Sequence, residues 1–328
     1  MLFRSVIQIP CLNEEATLPV TLRDLPRALP GITTIEILVI DDGSRDRTRE
    51  VALEHGVHRV VSFPARRGLA RAFDAGLREA LAMGADIIVN TDADNQYQGA
   101  DVARLVEPIL ARRADMVVGT RPIDSIEHFS TLKKWLQRLG SAVVRGLSQT
   151  DIPDATSGFR AYSREAALRL TVLTGFTYTL ETLIQASQKN ITLAHVPIRV
   201  NGKLRESRLF KGMGSYILRS FGTMLRVYLL YQPLRFFIAI AGLALGGAIG
   251  LFGRFLWIYA HQPLNSGHVQ SLVVAGVLAV IGVLFIALGV LSDLTAMNRR
   301  ILEEIVVNTR LVRVEQERQG RTARGDQA

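Results

Sequence analysis

Asp86-Ile87-Ile88-Val89-Asn90-Thr91-Asp92-Ala93-Asp94-Asn95-Gln96 is a short apolar run that ends in two carboxylates one residue apart. Bounded by acidic and polar residues, the run predicts a buried strand, and the carboxyl end of such a strand is where an open α/β sheet places its ligands. Carboxylates at i and i+2 on an extended chain project the same way. With the carboxamide that follows, Asp92, Asp94 and Gln96 offer hard oxygen ligands on one side of a loop, which suits Mg2+ or Mn2+ better than Zn2+. An isolated pair of this kind also serves as a solvated turn or a helix cap, so its meaning depends on the rest of the chain.

Upstream, strand-like and helix-like segments alternate. Val6–Ile9, Ile35–Ile40 and Arg59–Phe63 are expected as strands, with helices over Ala16–Leu29, Arg47–His55 and Gly68–Met83 between and after them. Downstream come a helix over Val102–Ala111, a strand over Met116–Val118 and another over Ile191–Val200. Strict alternation predicts an α/β fold with a mostly parallel sheet and helices on both faces, and the uniformly apolar strands fit a sheet covered on both sides. Ser130–Leu147 and Met213–Tyr231 are expected as amphipathic helices, the first with a positive wet side and the second with aromatic residues suited to a membrane interface.

The chain has 328 residues, 48% of them hydrophobic, and a net charge of +9. Basic excess fits a nucleic-acid binder or a protein on anionic lipid, and charge alone does not separate the two. The single Cys11 forms no intrachain disulfide and is expected to pack as a small buried residue. The first ten residues turn polar too quickly for a signal peptide. Phe236–Ala260 and Val269–Leu291 are each long and apolar enough to span a bilayer core of about 30 Å; paired helices in a soluble core are the alternative. The loop His261–His268 lacks Lys and Arg, whereas Arg219, Arg226, Arg235, Arg299, Arg300, Arg310 and Arg313 flank the outer ends. By the positive-inside rule both termini and the soluble domain are expected in the cytoplasm. Because the basic residues gather around the membrane segments, where headgroups account for them, nucleic acid is not expected as a partner. The organisation expected is a catalytic domain over 1–212, a juxtamembrane helix over 213–234, two spans over 235–292 and a charged tail over 293–328, helical to about Gln319.

Four polar stretches fall at the sheet's ligand edge: Pro10-Cys11-Leu12-Asn13-Glu14-Glu15, Asp41-Asp42-Gly43-Ser44, Asp92-Ala93-Asp94 and Gly119-Thr120-Arg121. Acids crowded on one edge raise one another's pKa unless a cation joins them. Metal-bridged binding of a diphosphate fits that need.

The ordered set P-x-x-N-E, D-D-G-S and D-x-D resembles family-2 glycosyltransferases of the GT-A fold. With Asp92-Ala93-Asp94 followed by Gln96, Ser157-Gly158-Phe159-Arg160, and Glu206-Ser207-Arg208-Leu209, the chain resembles more narrowly the dolichol-phosphate-mannose-synthase-like group, over about residues 4 to 235. It departs from that group at Arg66-Arg67-Gly68, where an Asn and a Gly-rich turn are usual, and at Arg205, where Gly is usual. The resemblance implies a GT-A (nucleotide-diphospho-sugar transferase) domain with a carboxy-terminal transmembrane hairpin. It implies that Pro10, Asn13, Glu14, Asp41, Asp42 and Asp92 bind a nucleotide-sugar, that Asp92, Asp94 and Gln96 hold Mg2+ or Mn2+, and that Arg121, Arg138, Arg205 and Arg208 face the phosphate of a polyprenyl-phosphate acceptor. Asp94, Arg121 and Arg208 are the expected catalytic residues. The reaction implied is inverting transfer of a sugar from a GDP-mannose or UDP-hexose donor to the lipid phosphate on the cytoplasmic membrane face, with membrane lipids as partners and a homo-oligomer left open. A processive polysaccharide synthase and a non-catalytic membrane-tethered binding protein are the alternatives.

Overall fold

The computed structural model describes residues 3–122, 152–172, 178–202, 225–226, 228–229, 232–261 and 269–325. Seven strands form one sheet: β1 (Phe3–Cys11), β2 (Ile32–Asp41), β3 (Arg59–Ser62), β4 (Ile87–Asn90), β5 (Met116–Thr120), β6 (Arg160–Ser163) and β7 (Leu193–Pro197). Their spatial order is β3-β2-β1-β4-β6-β5-β7. The β1–β2, β1–β4, β2–β3 and β5–β7 pairs are parallel, while β6 runs antiparallel to both β4 and β5.

Successive residues of one strand feed opposite layers, which explains why the strands are apolar throughout. Val6, Leu38, Ile40, Ile88 and Val118 face a core shared with helix α3 (Leu69–Ala82), α5 (Arg164–Arg169) and α6 (Tyr178–Gln188). Ile7, Ile9, Val39, Val89 and Val117 face the other core, shared with α1 (Leu18–Asp24), α2 (Thr48–Glu54) and α4 (Val102–Leu110). Helix α3 lies close to the sheet because Gly76 has no side chain; a Cβ there would sit 2.5 Å from Gln8 Oε1.

Three expectations about elements change. Helix α1 ends at Asp24 rather than Leu29, since Leu25 precedes Pro26 and is driven to an extended conformation (ψ 139°). Strand β7 is confined to Leu193–Pro197 within the expected 191–200. Strand β6 has no counterpart in the hydropathy pattern, because its first residue is an arginine. Arg160 is fully buried, and its guanidinium donates to the carbonyls of Ser157 (2.7 Å), Thr179 (2.8 Å) and Ala155 (2.8 Å) and to Thr182 Oγ1 (2.8 Å). Buried charge is tolerated when its donors are satisfied in this way.

The segment Arg219–Ile305 forms a unit of its own. It contains helix α7 (Pro233–His261) and most of α8 (Val269–Gly325), both long and apolar enough to cross a membrane. The two run antiparallel, with Gly282 against Leu245 and Ala241, and Gly289 against Phe237 and Leu234. Small residues recur every seventh position at this seam, Ala241 and Ala248 on one helix and Ala275, Gly282, Gly289 and Ala296 on the other. That period suits a shallow left-handed crossing, and small side chains let the backbones approach. Helix α8 continues to Gly325, past the Gln319 expected from sequence; the single Gly320 costs only about 1 kcal/mol in a helix interior. The basic helix over 130–147, most of 213–231 and the loop 262–268 lie outside the described residues.

A long-range ion pair ties the segment after β7 to the start of α4. Asp101 is fully buried and accepts from Arg199 N (2.6 Å), Nη2 (2.8 Å) and Nε (3.1 Å). Burial alone would raise its pKa, but the Arg199 hydrogen bonds outweigh it and hold the carboxyl below its usual range. A group with a depressed folded pKa stabilises the fold above its unfolded pKa of about 3.9 and loses that contribution as pH falls through the folded value. Arg199→Ala is expected to lower stability at pH 7 and to flatten the acid limb of a thermal-melting profile below pH ~4; an unchanged acid limb would count against the pair as a stabilising contact.

Candidate functional site

Parallel strands send the chain segments that follow β1, β2, β4 and β5 to one edge of the sheet. Because β6 is antiparallel, the segment that precedes it, Asp154–Phe159, arrives at that same edge. The segments after β1 and β2 are sewn together: Asn13 N donates to Ser44 Oγ (2.9 Å), Arg45 N to Asn13 Oδ1 (2.8 Å), and Glu14 N to Thr48 Oγ1 (2.8 Å). Asn13 adopts φ 54°, a left-handed conformation that Asn tolerates better than most residues.

The paired aspartates after β2 differ in what they do. Asp41 accepts from Ser44 N (2.9 Å) and closes its own turn. Asp42 accepts from Arg67 N (2.7 Å) and Gly68 N (2.9 Å), holding the start of α3 with a carboxylate as helix N-termini favour. Gly43 is required between them and the 65–66 loop, since a Cβ would lie 2.7 Å from the Ala65 carbonyl carbon and from Arg66 N.

Asp92 lies at the centre of the edge. The Tyr97 hydroxyl hydrogen-bonds to it, and Tyr97 in turn accepts from Gly158 N (3.3 Å) and stacks on Phe159 at 4.9 Å. Gly158 is an obligatory gap: a Cβ there would sit 3.2 Å from each Asp92 carboxylate oxygen and 2.8 Å from the Tyr178 hydroxyl. Below it, the buried Asn90 donates to Gly158 O (2.8 Å) and to the Tyr178 hydroxyl (3.0 Å), and accepts from Gln8 Nε2 (2.8 Å). Burial first, and then repulsion from Asp94, push the Asp92 carboxyl up to about 7, against the pull of Arg121 and the Tyr97 hydrogen bond.

The other acids converge here as well. Burial, followed by Glu14, Asp41, Asp46 and Asp92, pushes the Cys11 thiol well above its ordinary pKa, so these carboxylates surround the end of β1. Glu14 is itself buried and accepts from Thr17 Oγ1 (2.7 Å). Among the described residues, a cation facing this cluster is Arg121, which makes a forked pair with the fully buried Asp154, Nε to Oδ2 at 2.7 Å and Nη2 to Oδ1 at 3.0 Å. Nη2 also donates to Thr156 Oγ1 (3.0 Å). Burial raises the Asp154 pKa, but the Arg121 hydrogen bonds dominate and hold it low.

The chemistry of this donor set fits a divalent cation. Asp92 and Asp94 repel each other in a partly buried setting, and a hard cation relieves that cost. No group of three or more His, Cys, Asp or Glu side chains among the described residues forms a complete cage. Two carboxylates with open positions are what Mg2+ or Mn2+ uses when substrate phosphates complete its shell. Gln96 is held through its backbone, its N–H on Asp94 Oδ1 (3.2 Å) and its carbonyl accepting from Asn201 N (2.8 Å).

The structure therefore brings together Pro10, Asn13, Glu14, Asp41, Asp42, Asp92, Asp94, Gln96 and Arg121 on one edge. Arg138, Arg205 and Arg208 lie outside the described residues. Sequence reasoning missed Tyr97, Asp154 and the Asn90–Tyr178 contact. Ser157-Gly158 was visible as a motif, but its position against Asp92 depends on the direction of β6.

A mostly parallel sheet covered on both faces, with an acidic ligand edge, is the architecture of a glycosyltransferase of the GT-A type. Glucosyl-3-phosphoglycerate synthase from Mycobacterium tuberculosis, solved with Mn2+, UDP and glucosyl-3-phosphoglycerate, superposes with a TM-score of 0.53 at 23% identity, covering 70% of this chain and 78% of that one. Residues 6–171 match the model of Glycosyl transferase family 2, and the chain belongs to that family. Among its relatives, an undecaprenyl-phosphate mannosyltransferase of Micrococcus luteus is 31% identical over 62% of this chain and 87% of the relative. A polyprenol monophosphomannose synthase of Mycolicibacterium smegmatis is 28% identical over 65% of this chain and 83% of the relative.

Two outcomes check the geometry at Asp92. A folded pKa raised above the unfolded value of about 3.9 means stability is fully present below that value and lost as pH rises through about 7. In metal-free buffer, Asp92→Asn is therefore expected to melt higher than wild type at pH 8 and to converge with it below pH ~4; a lower melting temperature at pH 8 would contradict the assignment. Gly158→Ala is expected to destabilise the fold by about 1–3 kcal/mol through overpacking against Asp92 and the Tyr178 hydroxyl, read by denaturant unfolding. Unchanged stability would show that the gap is not required.

Proposed function

We propose that this protein transfers a single sugar from a nucleotide-sugar, of the GDP-mannose or UDP-hexose type, to a polyprenyl phosphate at the cytoplasmic face of a membrane. The observation that carries this reading is the repelling pair Asp92 and Asp94 at the edge of a family-2 domain whose chain also contains two helices long and apolar enough to cross a membrane. The names of the two relatives support the lipid acceptor, and the Mn2+ and UDP bound by the structural neighbour support a metal-bridged donor.

When bound, a divalent ion would be held by Asp92 and Asp94, with Gln96 beside them, and would stabilise charge on the departing nucleotide diphosphate. Pro10, Asn13, Glu14 and Asp41 shape the donor pocket, with Asp42 fixing its wall through Arg67 and Gly68. A lipid monophosphate has a second pKa near ~6, so it arrives largely as a dianion and needs no strong general base. The protein's task is to place two mutually repelling anions on opposite faces of the anomeric carbon. Cations offset that repulsion. Arg121 is pre-oriented by Asp154, and Arg138, Arg205 and Arg208 supply further planar forks. In-line displacement inverts the anomeric centre, giving a β-linked product from an α-linked donor.

The test is incubation of the purified full-length protein with undecaprenyl phosphate, Mn2+ and labelled GDP-mannose, UDP-glucose or UDP-N-acetylglucosamine. One label is expected to become solvent-extractable in a 1:1 sugar-to-lipid product. EDTA, or Asp94→Asn, is expected to remove activity by on the order of 10²-fold or more. Full turnover in EDTA would sink metal dependence, and a product carrying many sugars per acceptor would favour a processive synthase.

A further inference from the structure

On the α3 side of the sheet, beside edge strand β3, lies a cavity of about 360 Å³ lined by Phe63, Arg67, Arg71, Ala75 and Arg78. Arg71, Ala75 and Arg78 fall at i, i+4 and i+7 and so share one face of α3, whose opposite face buries Ala72, Phe73, Leu77 and Ala80. Arg67 joins from the loop before the helix, its guanidinium carbon 4.9 Å above the centre of the Phe63 ring. Arg78 is paired with the buried Asp74. Arg67 and Arg71 have no ion pair to any carboxylate among the described residues. Among the described residues, the concavity thus holds three guanidiniums against one carboxylate.

An arginine stripe on a helix is ordinarily a solvated face. Here the three side chains are exposed but border one shared hollow, and one lies over an aromatic ring. Their mutual repulsion is offset by an anion, and planar guanidinium forks match phosphoryl oxygens in particular. The volume is within the range of small-ligand pockets, enough for a phosphoryl group and a modest organic body against Phe63 and Ala75.

We propose that this pocket is a phosphoryl-binding site separate from the donor edge. The two differ in sign. The donor edge gathers Glu14, Asp41, Asp92 and Asp94 and calls for a cation, whereas none of these lines the α3 pocket, which calls for an anion and no metal. They share one structural member: Arg67 lines the pocket with its side chain while its N–H is bound to Asp42. The phosphoryl group is either free in solution or the headgroup of an anionic lipid.

The experiment uses full-length protein in phosphatidylcholine nanodiscs without divalent metal or sugar donor, so its result is independent of sugar transfer. Inorganic phosphate is titrated by calorimetry against wild type, Arg71→Ala/Arg78→Ala, and Arg23→Ala/Arg49→Ala, a control that removes the same charge from the exposed faces of α1 and α2. Wild type and control are expected to share one phosphate-binding event that the pocket variant shows at least tenfold more weakly, beyond any phosphate held by the acceptor arginines, which all three proteins retain. Repeating the titration in phosphatidylglycerol nanodiscs separates the sources: a tenfold weaker apparent affinity in wild type assigns the pocket to a lipid headgroup, and an unchanged affinity assigns it to a free phosphate compound. Equal binding by wild type and the pocket variant, no binding by either, or an equal loss in the control overturns the site.

Discussion

Asp92 is a carboxylate the fold holds where it is costly to ionise, and much of the surrounding architecture follows from keeping it there. It lies beside Asp94, within the influence of Glu14, and under the hydroxyl of Tyr97. Gly158 withholds a side chain so that both carboxylate oxygens fit. Asn90, bridging Gln8, Gly158 and Tyr178, ties that gap to the sheet's interior. An isolated carboxylate in such a setting would simply take up a proton. A positive ligand at this edge would relieve that cost, so in the proposed function the destabilising feature and the functional one are the same atoms.

The reversed strand β6 makes that arrangement possible. In a wholly parallel sheet the chain reaches the ligand edge only as it leaves a strand. Inserting one antiparallel strand between β4 and β5 brings an incoming segment to the edge, and with it Asp154, Thr156 and Gly158. Arg121 leaves β5 and meets Asp154 on its way into β6. A cation facing an acidic cluster is thereby fixed by a forked pair rather than left free to collapse onto the nearest aspartate.

The parallel core was legible in the sequence because each strand carries apolar residues at consecutive positions, as Ile37-Leu38-Val39-Ile40 does, and each ends in polar residues. The strand-end acids were legible for the same reason: Asp41, Asp42, Asp92 and Asp94 follow apolar runs directly. Strand β6 was not, since Arg160 is buried by carbonyl and hydroxyl acceptors from residues up to 22 positions away, and hydropathy counts it as exposed. Tyr97 looks like an ordinary aromatic until the fold places Gly158, 61 positions on, against its hydroxyl. Likewise Asp154 is one acid among many until its bond to Arg121, 33 positions earlier, is seen. What sequence withheld were long-range polar contacts, which have no periodicity to betray them.

The seven-residue spacing of small side chains between α7 and α8 has a further consequence. In hydrocarbon, leucines meeting leucines gain little over leucines meeting lipid tails, so the seam is set by how closely two backbones approach. Tolerance to substitution on this hairpin is therefore inverted relative to a water-soluble helix pair. Bulky apolar residues are interchangeable on the outside, while at Gly282 and Gly289 even one methyl group lies about 3 Å or less from the neighbouring helix. The same spacing works as a ratchet, since sliding α8 by one turn would set Leu278 or Phe285 where a glycine now fits. The hairpin is thus a fixed-length strut whose register is written in its smallest residues.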